Sequence, residues 1–272
     1  MGVIRSSQSD ASYLRDGKVI QVKGADLLAC SEPFYAWKSL NLETLPNRDS
    51  LTYGKKYGIE SATTIFRGTL RYKGFSELLY VFKNMGMFDD LRTGSTTWCG
   101  TLLNLQIKHG FSDLRSFILS CSSCDKKLAS RFYKCAHWLG LIDTTVSTPV
   151  SNPSSIVKSF CDLLEQNLQY KDNERDMVIM HHDITANFRG RTENHSCSLQ
   201  LYGDDKMTAM CKTVGYSTAI GTKLILDGRI DSKGLILPLS KEVYIPSLDL
   251  LNKEGVILEE NVLTSDEFEE AR

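Results

Sequence analysis

The sequence predicts an α+β fold in which two strand-rich segments flank a helical insert. Three observations predict it. Residues 1 to about 72 mix β-branched runs with turn formers, about 73–170 carry apolar residues at helical spacing, and from about 174 short apolar runs return. Neither strand-rich segment alone buries enough apolar surface, so the two are expected to join in one sheet.

In the first segment GKVIQVKG (17–24) sets β-branched residues between two glycines and reads as a strand. NLETLPNRDS (41–50) reads as a polar loop entered through Pro46. In the helical segment Phe75, Leu78, Leu79 and Phe82 fall at i, i+3, i+4 and i+7, and Leu128, Phe132, Cys135 and Leu139 form a second stripe. Asn152–Pro153 predicts an N-cap and first turn for a helix burying Ile156, Val157, Phe160 and Leu164. DMVIMHHDI (176–184) and SCSLQLYG (196–203) predict a hairpin whose polar tip, FRGRTENH, is long and mobile. STAIGTKLILDG (217–228) predicts a helix ended by Gly228 and weakened by ~1 kcal/mol by its interior Gly221. Ser240 is expected to open a last helix, with Pro246 early in it and Gly255 as its stop. The acidic end, 259–272, reads as a flexible tail.

Composition narrows the function. The 272 residues fit one large domain or two modest ones, and 42% hydrophobic with 24% charged residues excludes a disordered chain. Lys plus Arg (32) balance Asp plus Glu (33), so no global basic field points to a nucleic-acid partner. No run reaches the ~18 apolar residues of a membrane span, so no membrane partner is expected. The N-terminus has neither a signal peptide's apolar core nor a transit peptide's Arg-rich helix, so an organelle address would lie outside this chain. Eight scattered cysteines read as reduced, mostly buried thiols of an intracellular protein.

Several residues could carry chemistry. Arg48, Arg67 and Arg71 lie near turn formers in PNRDS (46–50) and RGTLRYKGF (67–75), where guanidinium forks could grip carboxylates and Gly68 and Gly74 could admit a ligand close to the backbone. Surface or structural ion pairs are the alternative. Cys121 and Cys124 have CxxC spacing, but Cys135 and His137 are poorly spaced to complete a zinc site, so structural thiols are the simpler reading. His181–His182–Asp183 reads as a strand end reaching the surface, with the two imidazoles on opposite faces and no GxSxG nucleophile behind them. No two glycines are separated by a single residue, so G-x-G-x-x-G is absent, and no phosphate-binding P-loop is present either.

PNRDS and RGTLRYKGF resemble the saccharopine dehydrogenase family, the L-glutamate-forming enzymes of lysine metabolism. The chain is similar to the C-terminal half of the family's animal bifunctional members. The likeness continues, in family order, through NRDSLTYGKKYGI, RGTLRYKGFSELL, HWLGL, RDMVIM, MCKTVG, AIGTKLILDGRI, KGLILP and SKEVYIPSLDLLNKEG, and is least between about 92 and 134.

The resemblance implies a two-part enzyme that cleaves saccharopine oxidatively to glutamate and alpha-aminoadipate semialdehyde in lysine degradation. A Rossmann-type domain binds NAD or NADP. A second α+β domain with a mixed sheet closes over substrate, mediates homodimerisation and carries an inserted helical domain. This chain looks like the second part: a substrate domain over 1–84 and 171–258, a helical insert over 85–170 and a tail over 259–272. Of the Rossmann domain only C-terminal elements, around AIGTKLILDG and SKEVYIPSLDLL, are expected. Arg48, Thr69, Leu70 and Arg71 carry over as saccharopine-binding residues. No catalytic, cofactor-binding or metal-binding residue carries over, so the chain alone is expected to bind no nicotinamide and to be inactive. A truncated fragment acting as a dimerisation or interaction module is the alternative. The animal members imply a mitochondrial location, with a cytoplasmic one as the alternative.

Overall fold

An Asp16–Gly17 turn with both φ positive, 51° and 74°, reverses the chain between β1 (Ala11–Arg15) and β2 (Lys18–Val22). Asp-Gly is the pair such two-residue hairpins favour, since both central residues need positive φ. In this computed structural model residues 1–142, 148–188 and 191–264 are described, and the chain divides into two compact units, Met1–Gln169 and Tyr170–Arg272.

The first unit begins with a short helix, α1 (Gly2–Ser6), ahead of the β1–β2 hairpin. A 3-10 turn (Leu27–Cys30) leads to β3 (Glu32–Phe34), β4 (Leu42–Pro46), α2 (Thr52–Tyr57) and β5 (Gly68–Tyr72). Strands β3, β4 and β5 form an antiparallel sheet in that order. Residues 42–46 are thus a strand, not the loop expected from Pro46. Pro46 is tolerated because it ends β4, beyond the last β3 partner pair, Glu32↔Thr44, so its missing N–H removes no ladder bond there.

Five helices follow: α3 (Phe75–Asn84), α4 (Trp98–Lys108), α5 (Leu114–Cys121), α6 (Lys126–Trp138) and α7 (Ile156–Leu168). Thr97, Asp113 and Asp125 cap α4, α5 and α6 through amides at Gly100, Ser116 and Leu128. The cap of α7 is Ser155, three residues later than expected; Asn152 instead accepts from the Ser154 amide in a turn before the helix. The helices, the 3-10 turn and β4 share one core containing Ile4, Leu28, Leu45 and Leu79 together with Trp98, Phe132 and Phe160, while Ala11, Tyr13 and Val22 of the β1–β2 hairpin form a separate cluster with Leu27. Phe160 is fully buried, with ring centroids 4.7 Å from Phe82 and 6.3 Å from Trp98.

The second unit is built on β6 (Met177–Phe188) and β7 (Arg191–Tyr202), with β8 (Glu259–Thr264) completing an antiparallel sheet of order β6-β7-β8. Pairing runs the full hairpin, from Met177↔Tyr202 to Phe188↔Arg191, so most of the expected polar tip is strand. Part of the acidic segment is strand as well: residues 259–264 pair with β7, and 265–272 lie outside the described residues. The single sheet joining both strand-rich segments does not form. Among the described residues there are three sheets, none shared between the segments, and every ladder is antiparallel rather than mixed. The long hairpin needs only β8 to become three-stranded, which removes the reason for recruiting distant strands.

Helix α8 (Tyr216–Leu226) follows one π-helical turn, and Gly228 takes φ 65° just past its end. Helix α9 (Lys241–Lys253) starts after Ser240 and carries Pro246 as its sixth residue; Gly255 closes it at φ 79°. Ser240 Oγ meets Glu242 Oε1 at 3.4 Å rather than capping an amide. Ile220, Leu224, Ile230 and Val243 form the small core of this unit.

Two outcomes follow from the packing. Phe160→Ala should cost about 3–5 kcal/mol in urea unfolding. Gly221 has helical φ and open space where a Cβ would stand, so Gly221→Ala should gain about 1 kcal/mol in the same measurement.

Candidate functional site

Strand β5 carries the predicted residues, and its register decides which way they face. The ladder pairs Leu45↔Thr69 and Glu43↔Arg71, so Thr69 and Arg71 share a face with Leu45, while Leu70 takes the opposite one. On the shared face lies an open cleft whose empty volume, mouth included, is about 320 Å³. Val3, Ser6 and Ser7 at α1, Leu27, Leu45, Pro46, Asn47, Thr69, Arg71 and Phe75 line it. Arg71 is its one charged lining group.

Arg71 is half-buried, and its guanidinium lies 5.1 Å from the centre of the Phe75 ring. It meets no carboxylate among the described residues, and burial pushes its pKa below the usual arginine value. The acid directly across the ladder, Glu43, is engaged elsewhere. Buried at 5% exposure, Glu43 accepts from the Gly74 amide (Oε2, 3.0 Å) and the Ser76 amide (Oε1, 2.8 Å) at the start of α3. It satisfies orphan amides there and complements the helix dipole.

Thr69 Oγ1 accepts a 2.8 Å hydrogen bond from Asn47 Nδ2. Leu70 contributes backbone rather than side chain. Bonds from Asn47 N to Arg67 O (3.0 Å) and from Lys73 N to Asn41 O (2.9 Å) bracket the ladder. Alternation between them turns the N–H and C=O of Leu70 away from β4, on an edge strand.

Arg48 follows Asn47 directly but does not line the cleft. Its side chain is exposed, and its φ of 56° is an uncommon conformation for a non-glycine residue. The loop is held by Ser12 N to Arg48 O (2.9 Å), Ser50 N to Ser12 O (2.8 Å) and Arg67 N to Ser50 Oγ (3.1 Å). Arg67 is also taken up locally, with Nη1 2.5 Å from Tyr53 Oη. The structure thus brings Thr69 and Arg71 together and leaves Arg48 and the Leu70 side chain outside the lining. Sequence reasoning missed Asn47 and α1, because the parity that places Asn47 beside Thr69 appears only once β4 is known to be a strand.

The glycines expected to admit a ligand do not. A Cβ on Gly68 would strike Thr44 Oγ1 and the Phe66 ring, and one on Gly74 would strike Arg131 Nη2, so side chains of this chain fill both spaces. The β5-to-α3 turn offers no phosphate cradle either, since Glu43 already holds the Gly74 and Ser76 amides. The residues present there do not fit a dinucleotide.

His181 sits mid-strand rather than at a strand end. Its Nδ1 is 2.8 Å from Ser198 Oγ and its Nε2 2.9 Å from Asp183 Oδ2. The amides of β7 beside these groups serve the ladders on both sides, because β7 is the central strand, and so offer no oxyanion site themselves. Among the described residues no group of three or more metal-ligating side chains forms, and Cys121 and Cys124 are both free thiols. Cys121 is buried, and burial pushes its thiol up to about 11, whereas Cys124 is exposed.

Fold and site together define an α+β protein whose first unit carries an open, largely apolar cleft with one charged lining group, Arg71, that meets no carboxylate among the described residues. The model of the saccharopine dehydrogenase C-terminal domain matches residues 1–256, and the chain belongs to that family. It is 38% identical to mitochondrial alpha-aminoadipic semialdehyde synthase of Rattus norvegicus, over 94% of this chain and 28% of that protein. It is 31% identical to the NADP+, L-glutamate-forming saccharopine dehydrogenase of Schizosaccharomyces pombe, over 96% of this chain and 60% of that one. The apo saccharopine dehydrogenase (L-Glu forming) of Saccharomyces cerevisiae matches as a structure with a TM-score of 0.85 and 32% identity, over 96% of this chain and 60% of that chain. The chain thus spans between about a quarter and three fifths of the length of these relatives.

Mild alkylation at pH 8 followed by peptide mass mapping should label Cys124 quickly and Cys121 only on unfolding. Equal labelling of both in the native state would refute the burial assigned to Cys121.

Proposed function

We propose that this chain is the substrate-binding portion of a saccharopine dehydrogenase, serving the NAD(P)-dependent oxidative cleavage of saccharopine. The observation that carries the reading is Arg71, a half-buried guanidinium facing an open cleft with no carboxylate of its own. Desolvating a cation without pairing it is unfavourable for folding, so a ligand carboxylate is the natural complement. Saccharopine carries three carboxylates. Arg71 and the Thr69 hydroxyl hold one, the outward N–H and C=O of Leu70 meet polar atoms of the chain between them, and Arg48 grips a second from the rim of the cleft. The contribution to the reaction is positioning: substrate is fixed so that its C–H bond beside the secondary amine is presented to a nicotinamide bound elsewhere. The cofactor is NAD or NADP in the complete enzyme and does not bind this chain alone. The parent protein works as a homodimer and, by its animal relatives, in mitochondria.

The second reading, a dimerisation or interaction module without turnover, is favoured by exposed apolar residues in the second unit. Leu226 is 81% and Leu235 97% exposed, and Leu237, Ile245 and Leu248 are exposed as well. Saccharopine titration alongside sedimentation distinguishes them: an oligomer that binds saccharopine supports the first reading, and a stable oligomer indifferent to saccharopine supports the second.

The decisive experiment pairs stability with binding. Arg71→Met keeps the stem that packs on Phe75 but removes the desolvated charge. It should leave the unfolding free energy unchanged or higher, yet weaken saccharopine binding in titration calorimetry at least tenfold, the loss of one charge-assisted pair. Unaltered binding in this variant, or nicotinamide-dependent turnover by the isolated chain, would overturn the proposal.

A further inference from the structure

We infer that Asn47 is a positioning residue that fixes the direction of the Thr69 hydroxyl, making Thr69 and Arg71 a pair of converging donors for one ligand carboxylate. The inference deepens the substrate-binding reading and rests on it.

The argument starts from the hydroxyl inventory. A threonine hydroxyl has one proton and two lone pairs. Asn47 Nδ2 donates to Thr69 Oγ1 at 2.8 Å and so takes a lone pair. The proton of Thr69 finds no acceptor among the described residues and is left for whatever enters the cleft that both residues line. Two residues along the same strand face, Arg71 supplies only donors and has no carboxylate partner. The nearest cross-strand acid, Glu43, has both oxygens on the amides of Gly74 and Ser76. The two groups that face the cleft from β5, the Thr69 hydroxyl proton and the Arg71 guanidinium, therefore both donate. A carboxylate, which only accepts, suits that pair, whereas an ammonium would meet the like charge of Arg71.

Asn47 is the switch in this arrangement. An aspartate there would be nearly isosteric but would accept, turning the Thr69 proton back toward residue 47 and placing a negative charge beside the incoming carboxylate. The position immediately before Arg48 thus acts through Thr69.

The test is saccharopine titration of the full 272-residue chain, with thermal melts to confirm that each variant is folded. Asn47→Asp should weaken binding at least tenfold, and Asn47→Ala should weaken it severalfold, in the range of one lost charge-assisted hydrogen bond. The double-mutant cycle is the discriminating readout. If Asn47 acts through the hydroxyl, Asn47→Ala has no further effect once Thr69 is valine, and Thr69→Ser, which keeps a hydroxyl, restores most of the sensitivity to residue 47. Additive losses from Asn47→Ala and Thr69→Val, or wild-type affinity in Asn47→Asp, would overturn the role of Asn47 while a defect in Arg71→Met leaves the cleft reading standing. No saccharopine binding by the wild-type chain, or equal binding by Arg71→Met, would overturn both.

Discussion

The site depends on where one carboxylate goes. Glu43 and Arg71 are directly opposed across the β4–β5 ladder, the arrangement in which opposite charges ordinarily pair. Here the N-terminus of α3 wins the acid, because two amide donors in a buried setting satisfy both carboxylate oxygens at once. A glutamate bonded to Arg71 would leave those amides orphaned in the interior, and unsatisfied buried amides are costly. The same contact that starts the helix therefore keeps the arginine unneutralised. Stability of the helical half and charge in the cleft are set by a single side chain.

That allocation works only in one register. A slip of β5 by one residue against β4 would send Thr69 and Arg71 to the opposite face and bring Leu70 into the cleft. The bonds Asn47 N to Arg67 O and Lys73 N to Asn41 O close the ladder at its two ends, and buried Leu45 holds β4 against the core. Because β5 is an edge strand, its outer backbone groups face away from the sheet. The site is thus a side-chain face meeting a free main-chain edge, a combination suited to a ligand with both charged ends and a polar linker.

Periodicity read the helical half well, because stripes such as Phe75–Phe82 and Leu128–Leu139 follow from the 3.6-residue turn and bury as the pattern demands. The ends of α8 and α9 were legible for a related reason: Gly228 and Gly255 take the positive φ that stops a helix. Strands were less legible. LETLP carries a buried glutamate and a terminal proline, each of which argues locally for a loop, and only tertiary partners, α3 for Glu43 and the end of β3 for Pro46, reverse that preference. FRGRTENH is polar throughout, yet pairing with β6 and β8 makes most of it strand. The arginines were visible as residue types, but their directions were not. Arg67 is turned to Tyr53, Arg48 is exposed to solvent and Arg71 lines the cleft, and no spacing rule separates these outcomes.

The division between Arg48 and Arg71 has a physical logic of its own. Arg71 stands on a regular strand, stacked on Phe75 and partly desolvated, so its guanidinium is preorganised and any bond it makes is little screened. Arg48 stands on a left-handed backbone position with a solvated side chain, so it gives up more freedom on binding and gains less per contact. A ligand carrying several carboxylates would then be anchored at the strand and oriented from the loop. The strained φ of Arg48 persists because Ser12, Ser50 and Asp49 bond the loop around it; Asp49 accepts from Ser12 Oγ at 3.1 Å and from Leu51 N at 2.9 Å. Such over-determination of an uncommon backbone state fixes the point from which the Arg48 side chain leaves the loop.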